Sequence, residues 1–153
     1  MYSIDFNQDL IKGVMLIDID KLNPHEKIIE KKKSSLAKFI KSYESYYIIS
    51  SIVCCYESLL IIDGHHRYFA LKELGFKKAP VTLINYKSDS VRTGKINPLE
   101  KKYIIDIGKS SVLLEPKSTE HAVYCNKSKN WEPIILLSSM FKIETKEIIK
   151  QII

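Results

Sequence analysis

Apolar and polar positions along the chain predict strands that alternate with helices. Runs of β-branched and aromatic residues, bounded in several places by Asn-Pro, Asp-Gly or Ala-Pro turns, predict strands at 14–19, 46–56, 59–62 and 81–86. Apolar residues at three- and four-residue spacing predict helices near 26–42 and 67–75. This alternation is typical of an α/β (α+β) fold with a small mixed sheet and flanking helices.

The first strand and the first helix carry different patterns. Residues 14–19 are mostly apolar, so we expect this strand to be covered on both faces. The helix is predicted to open at His25-Glu26, with Glu26 in its first turn, where a carboxylate suits the helix dipole. Its polar side carries solvated lysines, whereas its predicted apolar stripe consists of Ile28, Ile29, Leu36, Phe39 and Ile40.

The second half of the chain is less regular. Residues 87–98 are rich in Ser, Asp, Thr, Gly and Asn and are predicted to form a loop. The pattern at 101–107 fits a helix or a strand equally well. Further on, it predicts strands at 122–125 and 133–137 and a terminal helix at 144–153. We expect a single domain over 1–153, with its core at 14–86 and a smaller part at 87–153 that completes the site.

Composition narrows the class of partner only slightly. The formal net charge of +6 and the pI of about 9.1 favour acidic partners such as nucleotides, phosphorylated metabolites or nucleic acid. The excess of positive charge comes mostly from lysines scattered along an Ile- and Lys-rich chain, so the charge alone does not indicate a nucleic-acid partner. The 3 Cys, without a CxxC motif, fit reduced thiols. No run is long enough to span a membrane and no signal peptide is evident, so a cytoplasmic protein is expected.

Candidate chemistry is concentrated where the strand at 59–62 meets the helix at 67–75. Asp63-Gly64-His65-His66-Arg67 fills this turn, and the N-terminus of a helix attracts anions through its free N–H groups and dipole. Gly64 permits close approach of a ligand, and Arg67 can bind phosphate oxygens in a forked geometry. His65 and His66 can hydrogen-bond to phosphate or carry protons. Asp63 can accept a proton, hold a hydroxyl group or hold Mg²⁺, although a lone Asp here would be an ordinary helix cap.

Three motifs in this order resemble the ParB/sulfiredoxin superfamily and, within it, the free L-serine kinases. They are Pro24-His25-Glu26, Asp63-Gly64-His65-His66-Arg67 and Pro116-Lys117-Ser118-Thr119-Glu120-His121. Sulfiredoxins carry a reactive Cys where this chain has His65, which excludes their chemistry. The sequence departs from the serine kinases at 87–98, which lacks the aromatic residue that they carry near the amino-acid pocket.

The resemblance implies a ParB/sulfiredoxin-like fold and a kinase that converts free L-serine into O-phospho-L-serine for amino-acid biosynthesis. Its phosphoryl donor would be ATP or ADP, with Mg²⁺. Catalytic roles fall to Glu26 as general base, to Asp63 at the metal or the nucleophile, and to His65. The implied nucleotide- and phosphate-binding residues are Gly64, His66, Arg67, Lys117, Ser118, Thr119 and His121.

Three other functions remain open from the sequence. A ParB-like nucleotide-binding DNA adaptor would need a helix-turn-helix after the core, but the residues after 86 are rich in strands and loops until Glu144. A ParB-type nuclease would act on DNA through a metal and a histidine. A sensor would bind a nucleotide or phosphoserine without turnover, as the missing aromatic residue in 87–98 would allow. The motifs combine acids, imidazoles and hydroxyls, which argues against nucleic acid as the partner.

Overall fold

The computed structural model describes residues 5–40, 46–94 and 98–144. The strands in these ranges are β1 (Ile11–Asp18), β2 (Tyr46–Ser50), β3 (Ile52–Cys55), β4 (Ile61–Asp63), β5 (Lys78–Ile84), β6 (Val91–Arg92), β7 (Ala122–Cys125), β8 (Asn130–Pro133) and β9 (Met140–Glu144). The helices are α1 (Glu30–Ile40), α2 (His65–Glu73) and α3 (Lys101–Lys109). Short 3₁₀ helices cover Ile19–Lys21 and Ile134–Leu137.

A mixed four-stranded sheet with the order β1-β5-β3-β4 forms the centre of the fold. β5 runs antiparallel to β1 and parallel to β3, and β3 pairs antiparallel with β4. α1 packs against α2, which follows β4 directly. Two smaller sheets pair β2 with β9 and join β6, β7 and β8. The prediction of an α/β fold with a small mixed sheet and flanking helices is therefore confirmed.

The two faces of the main sheet support separate apolar clusters. Cys54 lies in the cluster with Leu71 and Val81, while Cys55 belongs to the cluster that contains Ile84 and Tyr86. The adjacent cysteines thus point to opposite faces, as the alternation of side chains along a strand requires. All three cysteines are buried free thiols.

The first strand is not covered on both faces. β1 is an edge strand, and Val14, Met15 and Leu16 are 43%, 46% and 45% exposed. The prediction was wrong because an apolar run does not distinguish a central strand from an edge strand that leaves its apolar side chains in solvent.

The first helix begins later than predicted, at Glu30. Its predicted first turn is held extended instead, because Leu114 donates its N–H to the carbonyl of His25 and accepts the N–H of Lys27, both at 2.7 Å. Glu26 therefore forms a β-bridge with Leu114 and is not a first-turn carboxylate. Phe39, placed in the apolar stripe, is 53% exposed.

Other elements differ from the sequence pattern in detail. The predicted strand 46–56 divides at Ser51 into β2 and β3, which belong to different sheets. The apolar run 133–137 is not a strand, since Ile134–Leu137 form a 3₁₀ helix. The undecided segment 101–107 is helical, and the loop at 87–98 contains β6. Glu144 ends β9, and the rest of the predicted terminal helix lies outside the described residues.

The helices in the described ranges are short. The longest of them, α1, has 11 residues, and none is long and apolar enough to cross a bilayer.

Candidate functional site

A cavity of about 300 Å³ brings the three sequence motifs together at the N-terminus of α2. Segments far apart in the chain contribute its polar wall: Glu26, the turn 63–67, and Lys117 with Thr119–His121. Leu36, Ile62 and the segment 133–135 add an apolar wall. All predicted site residues except Ser118 line this cavity.

The turn between β4 and α2 holds its conformation through Gly64 and Arg67. Gly64 has a φ of 107°, and a Cβ atom there would lie 2.9 Å from Nη2 of Arg67. That Nη2 donates to Oδ2 of Asp63 at 3.0 Å and to the carbonyl of Ser51 at 3.3 Å. Nε of Arg67 is buried without a hydrogen-bond partner in the described structure. A free guanidinium donor beside a helix N-terminus favours binding of an anion.

Both histidines of the turn hold the segment 25–29, which precedes α1, in place. Nε2 of His65 accepts the N–H of His25 at 3.1 Å, and Nε2 of His66 accepts the N–H of Ile29 at 3.0 Å. Burial lowers the pKa of His65 to about 3, and burial together with nearby Lys32 lowers the pKa of His66. His65 is therefore neutral at physiological pH and carries its proton on Nδ1, since Nε2 acts as an acceptor. Its catalytic role and the phosphate-binding role of His66 stay predictions, and either role would use the ring atoms other than Nε2.

Glu26 is a buried carboxylate that faces the loop after β-bridge residue Leu114. Its Oε1 accepts the N–H of Lys117 at 2.9 Å, while its Oε2 accepts the N–H of Thr119 at 3.1 Å and the Thr119 hydroxyl. Burial alone would raise the pKa of Glu26, but the hydrogen bonds from His25 and Thr119 outweigh it and lower the pKa to about 2. Glu26 is therefore ionised at every physiological pH.

Behind Glu26 lies a buried network of hydrogen bonds and ring contacts, only some of whose residues were predicted from the sequence. Nε2 of His25 lies 2.8 Å from Oγ1 of Thr119, and Nε2 of His121 lies 2.8 Å from the hydroxyl of Tyr86. The ring of His25 contacts those of His65 and His121 edge-on, with centroids 4.6 Å and 5.9 Å apart. Burial lowers the pKa of His121 to about 3, so its ring is neutral.

His25 and Tyr86 were not among the predicted site residues. His25 could have been found, because it stands inside the Pro24–Glu26 motif. Tyr86 ends an ordinary apolar run and carries no local signal, since its hydroxyl reaches the site only through the tertiary fold.

The loop at 115–119 places Lys117 and Ser118 differently. Lys117 has a φ of 58° and lines the cavity, and its side chain lowers the pKa of neighbouring Lys32. Two adjacent ammonium groups, of which that of Lys117 lines the cavity, favour an anionic ligand. Ser118 is exposed, and its hydroxyl donates to the carbonyl of Glu115 at 2.7 Å. Ser118 therefore does not line the cavity where phosphate binding was predicted, because this local turn directs its side chain away from the cavity.

Metal binding by the protein alone has little support in the described part of the chain. Among those residues, no three His, Cys, Asp or Glu side chains are arranged to hold a metal ion. Asp63 lines the cavity with its side chain 31% exposed, and Arg67 contacts one of its oxygens. Mg²⁺ commonly uses one or two carboxylates together with substrate phosphates. The donor set therefore fits Mg²⁺ only as an ion shared with bound phosphate.

The chain is similar to curated proteins named L-serine kinases and to a ParB-like protein. It is 38% identical over 103 residues to an ATP-dependent L-serine kinase from Staphylothermus marinus, which is 66% of this chain and 38% of the relative. It is 31% identical over 80 residues to the ADP-dependent L-serine kinase SerK from Thermococcus kodakarensis, covering 51% of this chain and 33% of the relative. A ParB-like protein from Sulfolobus acidocaldarius is 33% identical over 76 residues, which is 50% of this chain and 37% of that protein. No family model matches.

Solved structures show the same fold. Free serine kinase in complex with AMP superposes with a TM-score of 0.67 at 16% identity, covering 96% of this chain and 97% of that one. A glutamate-to-alanine variant of free serine kinase with ADP gives the same values. The predicted resemblance to the free L-serine kinases is thus confirmed, although the chain spans well under half the length of the curated relatives it matches.

Proposed function

We propose that this protein is a small-molecule kinase that transfers a phosphoryl group from a nucleotide to free L-serine, giving O-phospho-L-serine. The observation that carries the proposal is the meeting of Glu26, the 63–67 turn and the 117–121 loop around one cavity. The similarity to named L-serine kinases supports the same function. The chain spans 38% and 31% of the length of two of these relatives.

The phosphates of the nucleotide would bind at the start of α2. Free N–H groups of the helix, the unpartnered Nε of Arg67 and the ammonium group of Lys117 supply donors and positive charge there. Phosphoryl transfer depends mainly on positioning and charge stabilisation, so these groups perform the larger share of the catalysis. Thr119 adds a hydroxyl at the boundary between this anion site and Glu26.

Glu26 would orient the acceptor. The serine hydroxyl oxygen forms a bond to phosphorus while the bond from phosphorus to the nucleotide's bridging oxygen breaks, and the hydroxyl proton passes to Glu26. With its pKa lowered to about 2, Glu26 is a weak base. Such a base suffices in a loose transition state, where the proton leaves late and the main need is a fixed hydrogen-bond acceptor for the nucleophile.

Asp63 is the residue that would hold Mg²⁺ together with the nucleotide phosphates, where the ion would neutralise phosphate charge. His65 would act through His25 in shaping the cavity, and His121 through Tyr86. A cytoplasmic location and a role in amino-acid biosynthesis complete the proposal. The named relatives include both ATP- and ADP-dependent enzymes, so either nucleotide is a candidate donor.

The deciding experiment incubates the purified chain with L-serine, Mg²⁺ and either ATP or ADP, and detects phosphoserine by ³¹P NMR. We expect phosphoserine with at least one donor, together with an equal amount of ADP from ATP or of AMP from ADP. Reactions without L-serine, or with L-alanine in its place, separate transfer to the hydroxyl from nucleotide hydrolysis.

A sensor of nucleotide or phosphoserine is the second candidate, because 87–98 lacks an aromatic residue for the amino-acid pocket. Nucleotide binding by calorimetry, without phosphoserine from either donor, would replace the kinase by the sensor.

A further inference from the structure

The outer edge of β1 is apolar, and among the residues that the structure describes no other strand pairs with it. β1 ends the sheet order, and its exposed apolar residues Val14, Met15 and Leu16 are contiguous. Protein edges of this kind are normally blunted by charges or covered, because they present free N–H and C=O groups to other strands. Here the charges stand only at the two ends, Lys12 and Asp18.

The hydrogen-bond pattern shows which residues face outward. Ile19 donates its N–H to the carbonyl of Lys77 at 2.9 Å, and the antiparallel register continues from this pair through Met15 and Val81. From Gly13 to Ile19, odd-numbered residues therefore bond to β5, and Val14, Leu16 and Asp18 present their backbone groups to the open edge. A bulge between Ile11 and Gly13 ends this regular pattern at Lys12. The pairing of Leu16 with Pro80 agrees, since proline has no N–H to donate.

We propose that two copies of this chain dimerise by antiparallel pairing of their β1 edges about a two-fold axis at Met15. In this register Val14 of one copy lies opposite Leu16 of the other. Lys12, at the bulge where the regular pairing ends, comes beside Asp18 of the other copy at both ends, so the edge is complementary to itself in charge. The two main sheets join into one continuous sheet.

Neighbouring registers fit the same edge less well. An axis at Val14 sets Lys12 against Leu16, and an axis at Leu16 sets Asp18 against Val14. The axis at Val14 leaves both charges opposite apolar residues, because Asp18 then faces Leu10. The axis at Leu16 leaves Asp18 opposite an apolar residue and moves the partner of Lys12 to Asp20, which lies outside the strand in the 3₁₀ helix. Within the described residues, Lys12 and Asp18 have weak surface partners, the ring of Tyr56 at 5.7 Å and Lys21 at 3.7 Å. Both are therefore available for the second copy.

Light scattering after size-exclusion chromatography tests the assembly. We expect the wild type to approach twice the 17.7 kDa chain mass as its concentration rises from low micromolar to millimolar. Lys12→Asp or Asp18→Lys alone sets like charges opposite each other and should return the mass to one chain. The double variant restores opposite charges and should restore the dimer. Val112→Lys, at a valine that is 56% exposed in another part of the chain, should leave the dimer intact.

Cross-linking tests the register. Met15→Cys would face its own copy in a non-hydrogen-bonded pair, where Cα atoms about 4.5 Å apart permit a disulfide. Val14→Cys would face Leu16 and should stay uncross-linked under the same mild oxidation. The native cysteines are buried, so they do not compete. A single-chain mass at every concentration, a double variant that does not recover the dimer, or cross-linking through position 14 instead of 15 would overturn the proposal. β1 contributes no residue to the cavity, so these results are independent of the kinase assay.

Discussion

Glu26 is the residue on which the proposed chemistry depends most directly. Replacing it by Gln keeps its shape but removes the negative charge and offers an amide where Thr119 and Lys117 donate. We expect Glu26→Gln to lower phosphoserine formation by about 10²–10⁴-fold, the usual effect of losing a general base. Nucleotide affinity, measured by calorimetry, should stay nearly unchanged, because the proposed phosphate contacts lie at Arg67 and the start of α2.

Glu30→Gln provides the matched control. Glu30 is exposed at the start of α1 and outside the cavity, so this variant should keep wild-type turnover. Wild-type turnover in Glu26→Gln as well would assign Glu26 a purely structural role in holding the 117–119 loop.

At the residue scale, contacts between residues close together in the sequence could be predicted, whereas contacts between residues far apart in the sequence could not. Gly64 and Arg67 could be interpreted from the motif itself, because the backbone turn and the side chain that packs against it are three residues apart. The partners of Glu26 lie 91 and 93 residues away, so no local pattern indicates them. Ser118 shows the converse, since it stands within the third motif but a hydrogen bond to the carbonyl of Glu115 directs its hydroxyl away from the cavity.

The junction of β4 and α2 is the element that builds the site, and Gly64 is its critical position. An alanine there would be strained at a φ of 107° and would press on Arg67. We expect Gly64→Ala to reduce the free energy of unfolding by about 1–3 kcal/mol, measured by urea denaturation. It should also weaken nucleotide binding, because the guanidinium must move.

Gly75→Ala separates these two effects. Gly75 also has a positive φ, 85°, but it follows α2 at the end away from the cavity. This variant should lose a comparable amount of stability while nucleotide affinity stays at the wild-type value. Equal loss of affinity in both variants would mean that general destabilisation, and not the displacement of Arg67, weakens binding.

Elements with strong local signals were predicted well, and those defined by tertiary contacts were not. β4, the turn and α2 follow from an apolar run, Asp-Gly and a helical period. The division of 46–56 at Ser51 follows from contacts beyond the segment, because Ser51 hydrogen-bonds to Thr82 and Ser139. The exposure of β1 depends on its place at the end of the sheet, which periodicity does not reveal.

For the molecule as a whole, buried neutral histidines make stability depend on pH. His65 and His121 have pKa values lowered to about 3 by burial, whereas in the unfolded chain each titrates near 6.5. Between these values the unfolded state binds more protons, so the free energy of unfolding should fall as pH falls from 6.5 towards 3. Each histidine contributes a slope of about 1.4 kcal/mol per pH unit within this window.

Glu26 adds to the same trend at lower pH. Its pKa is lowered from 4.5 to about 2, so its stabilising contribution is present above 4.5 and is lost as pH falls towards 2. Urea denaturation across these windows measures both effects. His121→Gln should show a shallower slope between 6.5 and 3 than the wild type, and an unchanged slope would mean that His121 is not held neutral by the fold.

The distribution of charge over the whole molecule separates a kinase from a DNA-binding adaptor. The net charge of +6 permits non-specific binding to DNA, whose affinity falls steeply as salt rises. Exposed lysines on α1, such as Lys31 and Lys38, provide the most evident basic surface, while Lys33 is engaged by Glu30 and Glu73. In the ranges that the structure describes, α3 is followed by β7 and β8 and not by a second helix that could enter a DNA groove.

We therefore expect only weak retardation of duplex DNA in a mobility-shift assay at about 150 mM salt, where surface charges are screened within roughly 8 Å. Replacing Lys31 and Lys38 together by Glu should abolish the binding seen at low salt and leave phosphoserine formation unchanged, because both lysines lie outside the cavity. Lys32 is kept in this variant, since it lies beside Lys117. Tight, sequence-selective retardation at this salt concentration, without phosphoserine from either nucleotide, would favour the ParB-like adaptor over the kinase.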